Sequence, residues 1–455
     1  MTVLKRIIVV LILLCFAVPE AQAQRVVRVS EADAIQPAEV AIAINPKNPD
    51  NLLGASFQLG RPPKPLAGSY TYVTMDGGQT WKTNASQDPQ NLTQGDDALA
   101  FGGDGVAYHV NLSFDGIRVP RPKRAESGIL VSASRDGGST WNDPVPAINH
   151  VNSVTPFEDK PGIVTDSATD SPFKGNVYLA WTRFDVYGSS DPQCHSQIYF
   201  SRSTDGGKSF SMPFRISDTA GDCIDSDNTV EGAVPAVGPK GEVYVVWAGP
   251  LGLVFDKSTD GGLTFGADKT IGQMPGGWDY SVAGLDRANG MPVTGVDLSS
   301  GPHRGTLYVN WIDARNGDPD VFVASTSDGG QTWSAPVRVN DDPLKNGKVQ
   351  FFTWMAVDPV DGSVNVVFYD RRDTEGTRTG VTLARSLAGG RAFVNYKTEQ
   401  EPFACNDKVF FGDYTGIAAY GGRVVPIYMH FLDNDKLAVS VALFRFKPGT
   451  QERGK

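Results

Sequence analysis

Four acidic residues recur at one offset from the end of a short alternating run: Asp96, Asp159, Glu231 and Asp413. Ala38, Gly290 and Phe351 take that offset in three further runs. Carboxyl groups crowded near one axis raise each other's pKa, the condition for holding a protonated acid at neutral pH. Glycoside hydrolysis requires such an acid and, across the scissile bond, a second carboxylate or another nucleophile. A second polar row follows the next run in these stretches: Arg183 and Asp185, Asp313 and Arg315, Asp370 with Arg371 and Arg372, and His430. Arginines there can grip an anionic sugar through paired hydrogen bonds. Equally, pairs such as Asp313 with Arg315 can simply pin adjacent loops, which leaves a mouth that binds without chemistry. Both readings stay open on the residues alone.

What must position these residues is a repeat. Five eight-residue segments match: Thr74–Trp81, Ser134–Trp141, Ser203–Phe210, Ser258–Phe265 and Thr326–Trp333. Each reads Ser/Thr-x-Asp-Gly-Gly-x-Ser/Thr-aromatic, and their aspartates lie 55 to 69 residues apart. A sixth copy, Ser386–Phe393, has Ala388 in place of the aspartate. Every copy follows a period-two run such as Asp320-Val-Phe-Val-Ala324, the mark of a strand. Asp-Gly-Gly then turns the chain, glycine admitting positive φ and the aspartate capping the turn's amides. The boxes therefore predict a hairpin between third and fourth strands, and their aspartates are structural.

Two more strands lie upstream of each box, giving seven units of about 60 residues, most with four strands. A small sheet cannot bury both faces alone, so such units stack radially. The expected fold is an all-β propeller of four-stranded antiparallel blades, seven-bladed, with six blades plus an appendage as the alternative. Unit seven lacks a fourth strand of its own, and Arg25–Val29 can supply it and close the ring.

Composition narrows the class. The net charge of −10 excludes the basic footprint that nucleic acid requires. Lys5 and Arg6 precede the apolar run Ile7–Val18, and Ala21-Gln22-Ala23 offers a cleavage site, so residues 1–23 read as an export signal and 24–455 as one propeller domain. No later run is long enough to span a membrane. The product is expected to be secreted or periplasmic, where disulfides form. Cys194 and Cys223 are the expected pair, with Cys405 left over. No motif demands a cofactor. Asp222, Asp225 and Asp227 alternate in one loop and suit calcium, or form a solvated acidic loop.

The boxes are similar to bacterial neuraminidase repeats, or Asp-boxes, and the chain from residue 24 onward resembles the sialidase-like superfamily. Glu158-Asp-Lys-Pro161, Gly305-Thr-Leu-Tyr-Val-Asn-Trp-Ile-Asp-Ala-Arg315 and Phe411-Gly-Asp-Tyr414 resemble its secreted bacterial, exo-alpha-sialidase-like branch. The resemblance implies a glycosidase acting on an anionic, sialic-acid-like glycan. Tyr414 would be its nucleophile, Glu231 the activating partner, and Asp96 or Asp97 the acid. Arg183, Arg315 and Arg371 would clamp the substrate carboxylate, with Asp159 and Asp413 as further contacts. The chain departs from that pattern at Pro37-Ala-Glu-Val40, where the family carries Phe/Tyr-Arg-Ile-Pro, and in having seven units where six are usual. Boxes of this kind also occur in propellers that are not sialidases. The alternative is a non-catalytic propeller that binds a glycan or another exported protein.

Overall fold

The structure is a computed structural model that describes residues 22–59, 67–115, 125–433 and 435–447. Most of the expected export signal, residues 1–21, lies outside the described residues. Seven four-stranded antiparallel sheets follow one another along the chain and form a seven-bladed propeller. Blade 1 is Ala38–Ile44, Leu52–Gln58, Gly68–Thr74 and Lys82–Ala85, and blade 2 is Thr93–Phe101, Ala107–Asp115, Glu126–Ser134 and Val145–Val151. Blades 3 and 4 begin with Phe157–Thr165 and Glu231–Val237, and blades 5 and 6 with Val293–Val296 and Gln350–Val357. Blade 7 takes Gly416–Tyr420, Arg423–Phe431 and Leu437–Arg445, and its fourth strand is the N-terminal Gln22–Arg28, paired to Leu437–Arg445. The ring is thus closed by the two ends of the chain, and the six-bladed alternative falls.

Second strands are sandwiched within their own sheet and between blades, so they read as continuous apolar runs. Leu52–Gln58, Val243–Gly249 and Leu307–Asp313 are buried at every residue. Trp181, Trp247 and Trp311 recur in the second strands of blades 3 to 5 and are fully buried.

The boxes turn as expected. In blade 1, Asp76 Oδ1 accepts the amides of Gln79 (2.9 Å) and Thr80 (3.0 Å), and Oδ2 accepts the Thr80 hydroxyl (2.6 Å). These donors hold its carboxyl well below the usual range. The second glycine has a further task. At Gly138, φ is +93° and an added Cβ would stand 2.1 Å from Leu53 of blade 1; at Gly330 it would stand 2.3 Å from Phe255 of blade 4. Each box turn presses on the preceding blade, where a side chain would wedge the ring open.

The first strands of blades 1, 2, 3, 4 and 6 share a bulge, at Ala38/Ala41, Gly95/Ala98, Asp159/Gly162, Glu231/Val234 and Phe351/Trp354. The residue after the first of each pair has positive φ: Glu39, Asp96, Lys160, Gly232 and Phe352. This corrects the sequence alignment. Asp96 shares its position with Glu39 and Lys160, one residue beyond Asp159 and Glu231. The tandem glycines Gly102 and Gly103 concealed the true end of blade 2's first strand, which is Phe101 paired with Ala107.

Candidate functional site

A bulge inserts an unpaired residue and re-aims side chains. Here it turns Glu39, Asp96 and Lys160 toward one end of the ring, beside Asp159. These four residues, with Asp286 and Arg287 from the connection between blades 4 and 5, line a cavity of 490 Å³. Its walls are aromatic: Phe57, Phe114, Phe157, Tyr187 and Phe410. Phe57 stacks with Phe410 at 6.1 Å, and Phe157 contacts Phe114 at 5.6 Å and Tyr187 at 5.2 Å.

Behind this front row sits a second layer. Lys160 Nζ lies 2.8 Å from Glu231 Oε1 and 3.1 Å from Asp413 Oδ2. Arg287 Nη2 lies 2.5 Å from Asp413 Oδ2, and its Nη1 is 3.6 Å from Asp225 Oδ2. Asp225 also accepts the Tyr187 hydroxyl at 2.6 Å. Tyr414 donates its hydroxyl to Asp96 Oδ1 at 3.1 Å and packs 5.8 Å from Trp354. Tyr414, Asp97, Asp413 and Lys160 border a second cavity of 230 Å³ that continues down the channel between apolar first strands.

The ionisation pattern follows from this packing. Burial, and then the negative charge of Asp96 and Asp413, push Glu39 well above the ordinary range. Burial raises Asp159 in the same way, against the opposing pull of Lys160. Glu231 is pushed up to about 8 by burial. Asp225 is half-buried, yet Lys160, the Tyr187 hydroxyl and Arg287 bring it below its usual value. Lys160 stays firmly protonated, because Glu231, Asp413 and Asp159 outweigh its own burial. Tyr414 is raised well above 10, by burial and then by the surrounding carboxylates. Burial therefore favours the neutral carboxyl form at Glu39, Asp159 and Glu231, beside the charged Lys160.

Asp96, Asp159, Glu231, Asp413 and Tyr414 are thus brought together, though on different layers. Asp97 faces the channel, where its Oδ1 meets His109 Nε2 at 2.5 Å. The three arginines expected as a clamp are held elsewhere. Arg183 makes a two-point contact with Glu158 Oε1 (2.8 and 2.7 Å) and lies 3.6 Å over Tyr199. Arg315 forks onto Asp313 (2.9 and 2.5 Å). Arg371 is buried against Thr379 Oγ1 (3.0 Å) and the Ala283 carbonyl (2.8 Å). None contacts the cluster among the described residues: Arg183 and Arg315 turn to acids of their own blades, and Arg371 to Thr379 and the Ala283 carbonyl. His430 bonds Ser440 at 3.0 Å, and burial pushes it down to about 4.

Sequence reasoning missed Glu39, Lys160, Tyr187 and Arg287, and read Asp225 as a calcium ligand or a solvated loop acid. The shared bulge would have found the first two. The others come from connections whose paths no local pattern fixes. In the loop carrying Asp225, the acids turn to separate partners: Asp222 to Thr229 (3.2 Å) and Asp227 to the Asp279 amide (2.8 Å). Among the described residues no group of three or more His, Cys, Asp or Glu side chains is arranged to hold a metal ion. Cys194 and Cys223 are joined by a disulfide, and Cys405 is free and buried.

No protein-family profile matches the sequence, and no curated protein sequence does so. Solved structures similar to it include a Hadza microbial sialidase, Hz136 (14% identity over 84% of this chain and 77% of that one, TM-score 0.48). Another is the GH93 alpha-L-arabinofuranosidase of Fusarium graminearum (15%, 92% and 96%, TM-score 0.49). A third is the NanB sialidase of Streptococcus pneumoniae (10%, 92% and 94%, TM-score 0.49). The seven-bladed ring is established by this chain's own strand pairing, independently of these likenesses. No helix among the described residues is long and apolar enough to cross a membrane.

Proposed function

We propose that the mouth of the propeller is a glycoside-hydrolysing site. One observation carries the reading: Asp159, whose carboxyl burial pushes well above its ordinary range, and Asp96, bonded by the Tyr414 hydroxyl, line the same aromatic-walled cavity on adjacent blades. Asp159 is the proton donor to the leaving oxygen, and Asp96 is the carboxylate facing the sugar or the attacking water. Aromatic walls around a few placed polar groups suit the apolar faces of sugar rings. Tyr414 is better suited to positioning Asp96 than to attack, since a phenol raised among carboxylates gives up its proton reluctantly. A sialoside is disfavoured as substrate, because Arg183, Arg315 and Arg371 are engaged elsewhere and the lining is predominantly acidic. The disulfide supports an oxidising, exported setting.

The test is turnover of an aryl-glycoside panel that includes neutral sugars, amino sugars and sialosides, with Asp159→Asn and Asp96→Asn beside the wild type. Hydrolysis abolished in both variants, with unchanged unfolding curves, supports the reading. Turnover surviving both variants moves the chemistry elsewhere. Binding of a panel glycan without turnover leaves the non-catalytic glycan-binding propeller as the better account.

A further inference from the structure

The mouth holds carboxyl groups that the proposed chemistry does not use. Four carboxyl-bearing residues line the cavity, Glu39, Asp96, Asp159 and Asp286, against two cations, Lys160 and Arg287. Both cations are already engaged behind them, Lys160 with Glu231 and Asp413, and Arg287 with Asp413 and Asp225. Arg287 is further fixed to the wall, 5.0 Å over the Phe410 ring. Glu39 is the member without a direct partner, although the charges of Lys160 and Arg287 act on it. It is 4% exposed and faces the cavity, yet no hydrogen bond or ion pair is formed by its carboxyl group among the described residues. Its carboxyl opens onto the cavity and not onto a protein donor, so a ligand lodged there can supply the hydrogen bond that the protein does not.

A metal ion would need several oxygen ligands converging at one point, and no such group of three exists among the described residues. Aromatic rings beside carboxylates instead suit an organic ammonium, attracted by ring faces and by charge together. We infer that the mouth recognises a sugar carrying a free ammonium group, an amino sugar without an N-acyl substituent, and that Glu39 is the residue that receives the ammonium. This rests on the glycoside reading of the same cavity, with Asp159 and Asp96 acting on the bond and Glu39 setting which sugar enters.

Calorimetric titration tests it, using short glucosamine oligomers, their N-acetylated forms and the corresponding 2-hydroxyl sugars as probes. The free amine is expected to bind at least about tenfold more tightly than either counterpart, the scale of one charge-assisted hydrogen bond. E39Q is expected to erase that preference, with its fold checked by thermal unfolding. Equal affinity for the amine and its counterparts in the wild type overturns the inference without any variant. So does a preference that survives in E39Q, or calcium that binds at the mouth and is lost with E39Q. Amine-selective binding without hydrolysis sustains it while removing the catalytic reading. Hydrolysis of neutral sugars with no amine preference does the reverse.

Discussion

Asp256, in the third strand of blade 4 (Gly252–Ser258), gives a quantitative test of how this ring handles buried charge. Its Oδ1 accepts the amides of Lys257 (2.6 Å) and Gly266 (3.0 Å), while Oδ2 is buried without a partner. Nearby, Asp218 and Asp268 clasp each other's amides at 2.8 and 2.9 Å across the boundary of blades 3 and 4. Burial, and then the charge of these two neighbours, push Asp256 from 3.8 to about 7. A folded-state carboxyl raised in this way binds a proton that the unfolded chain has already lost. Stability therefore falls as pH rises from about 4 to 7. The full linkage amounts to about 4 kcal/mol above pH 7; screening by the solvent beside Asp218 halves it to about 2 kcal/mol. Asp256→Asn keeps an acceptor for the two amides and removes the charge. With an unfolding entropy of about 2.1 cal/mol/K per residue, the variant should melt about 2 °C above the wild type at pH 8 and level with it near pH 4. Thermal scans at half-unit pH steps measure this. Parallel melting curves, or a variant less stable at pH 8, would refute the argument.

Three further outcomes are expected. If Asp159 donates the proton, kcat/KM falls on the alkaline side as it ionises. Glu231→Gln should move that limb to lower pH, because Glu231 is one of the charges that raise Asp159; an unmoved limb would assign it to another group. Gly138→Ala places a Cβ against Leu53 at positive φ and should cost about 1–3 kcal/mol in denaturant unfolding. Replacing Cys194 and Cys223 by serine opens a loop of 29 residues' separation and should cost about 3–4 kcal/mol. Non-reducing peptide mapping of the wild type should show the linked pair.

The sequence determined what is local and repeated. A strand declares itself by period two, and a box turn by Asp-Gly-Gly, because both depend on neighbours within eight residues. Seven such units cannot bury their faces except in a ring, so the blade count and the N-terminal closing strand were legible. So was the structural role of Asp76 and its counterparts. The tertiary structure decided which side chains reach the axis. A bulge shifts the register by one residue and exchanges faces, which brought Glu39 and Lys160 into the mouth and set Asp96 off from Asp159. It also decided ionisation, which depends on burial and on charges that meet only once the ring has closed: Lys160 of blade 3 faces Glu231 of blade 4 and Asp413 before blade 7. The fate of the arginines was equally invisible in sequence. A guanidinium takes the nearest well-placed acceptor, and for Arg183, Arg315 and Arg371 those acceptors lie away from the mouth.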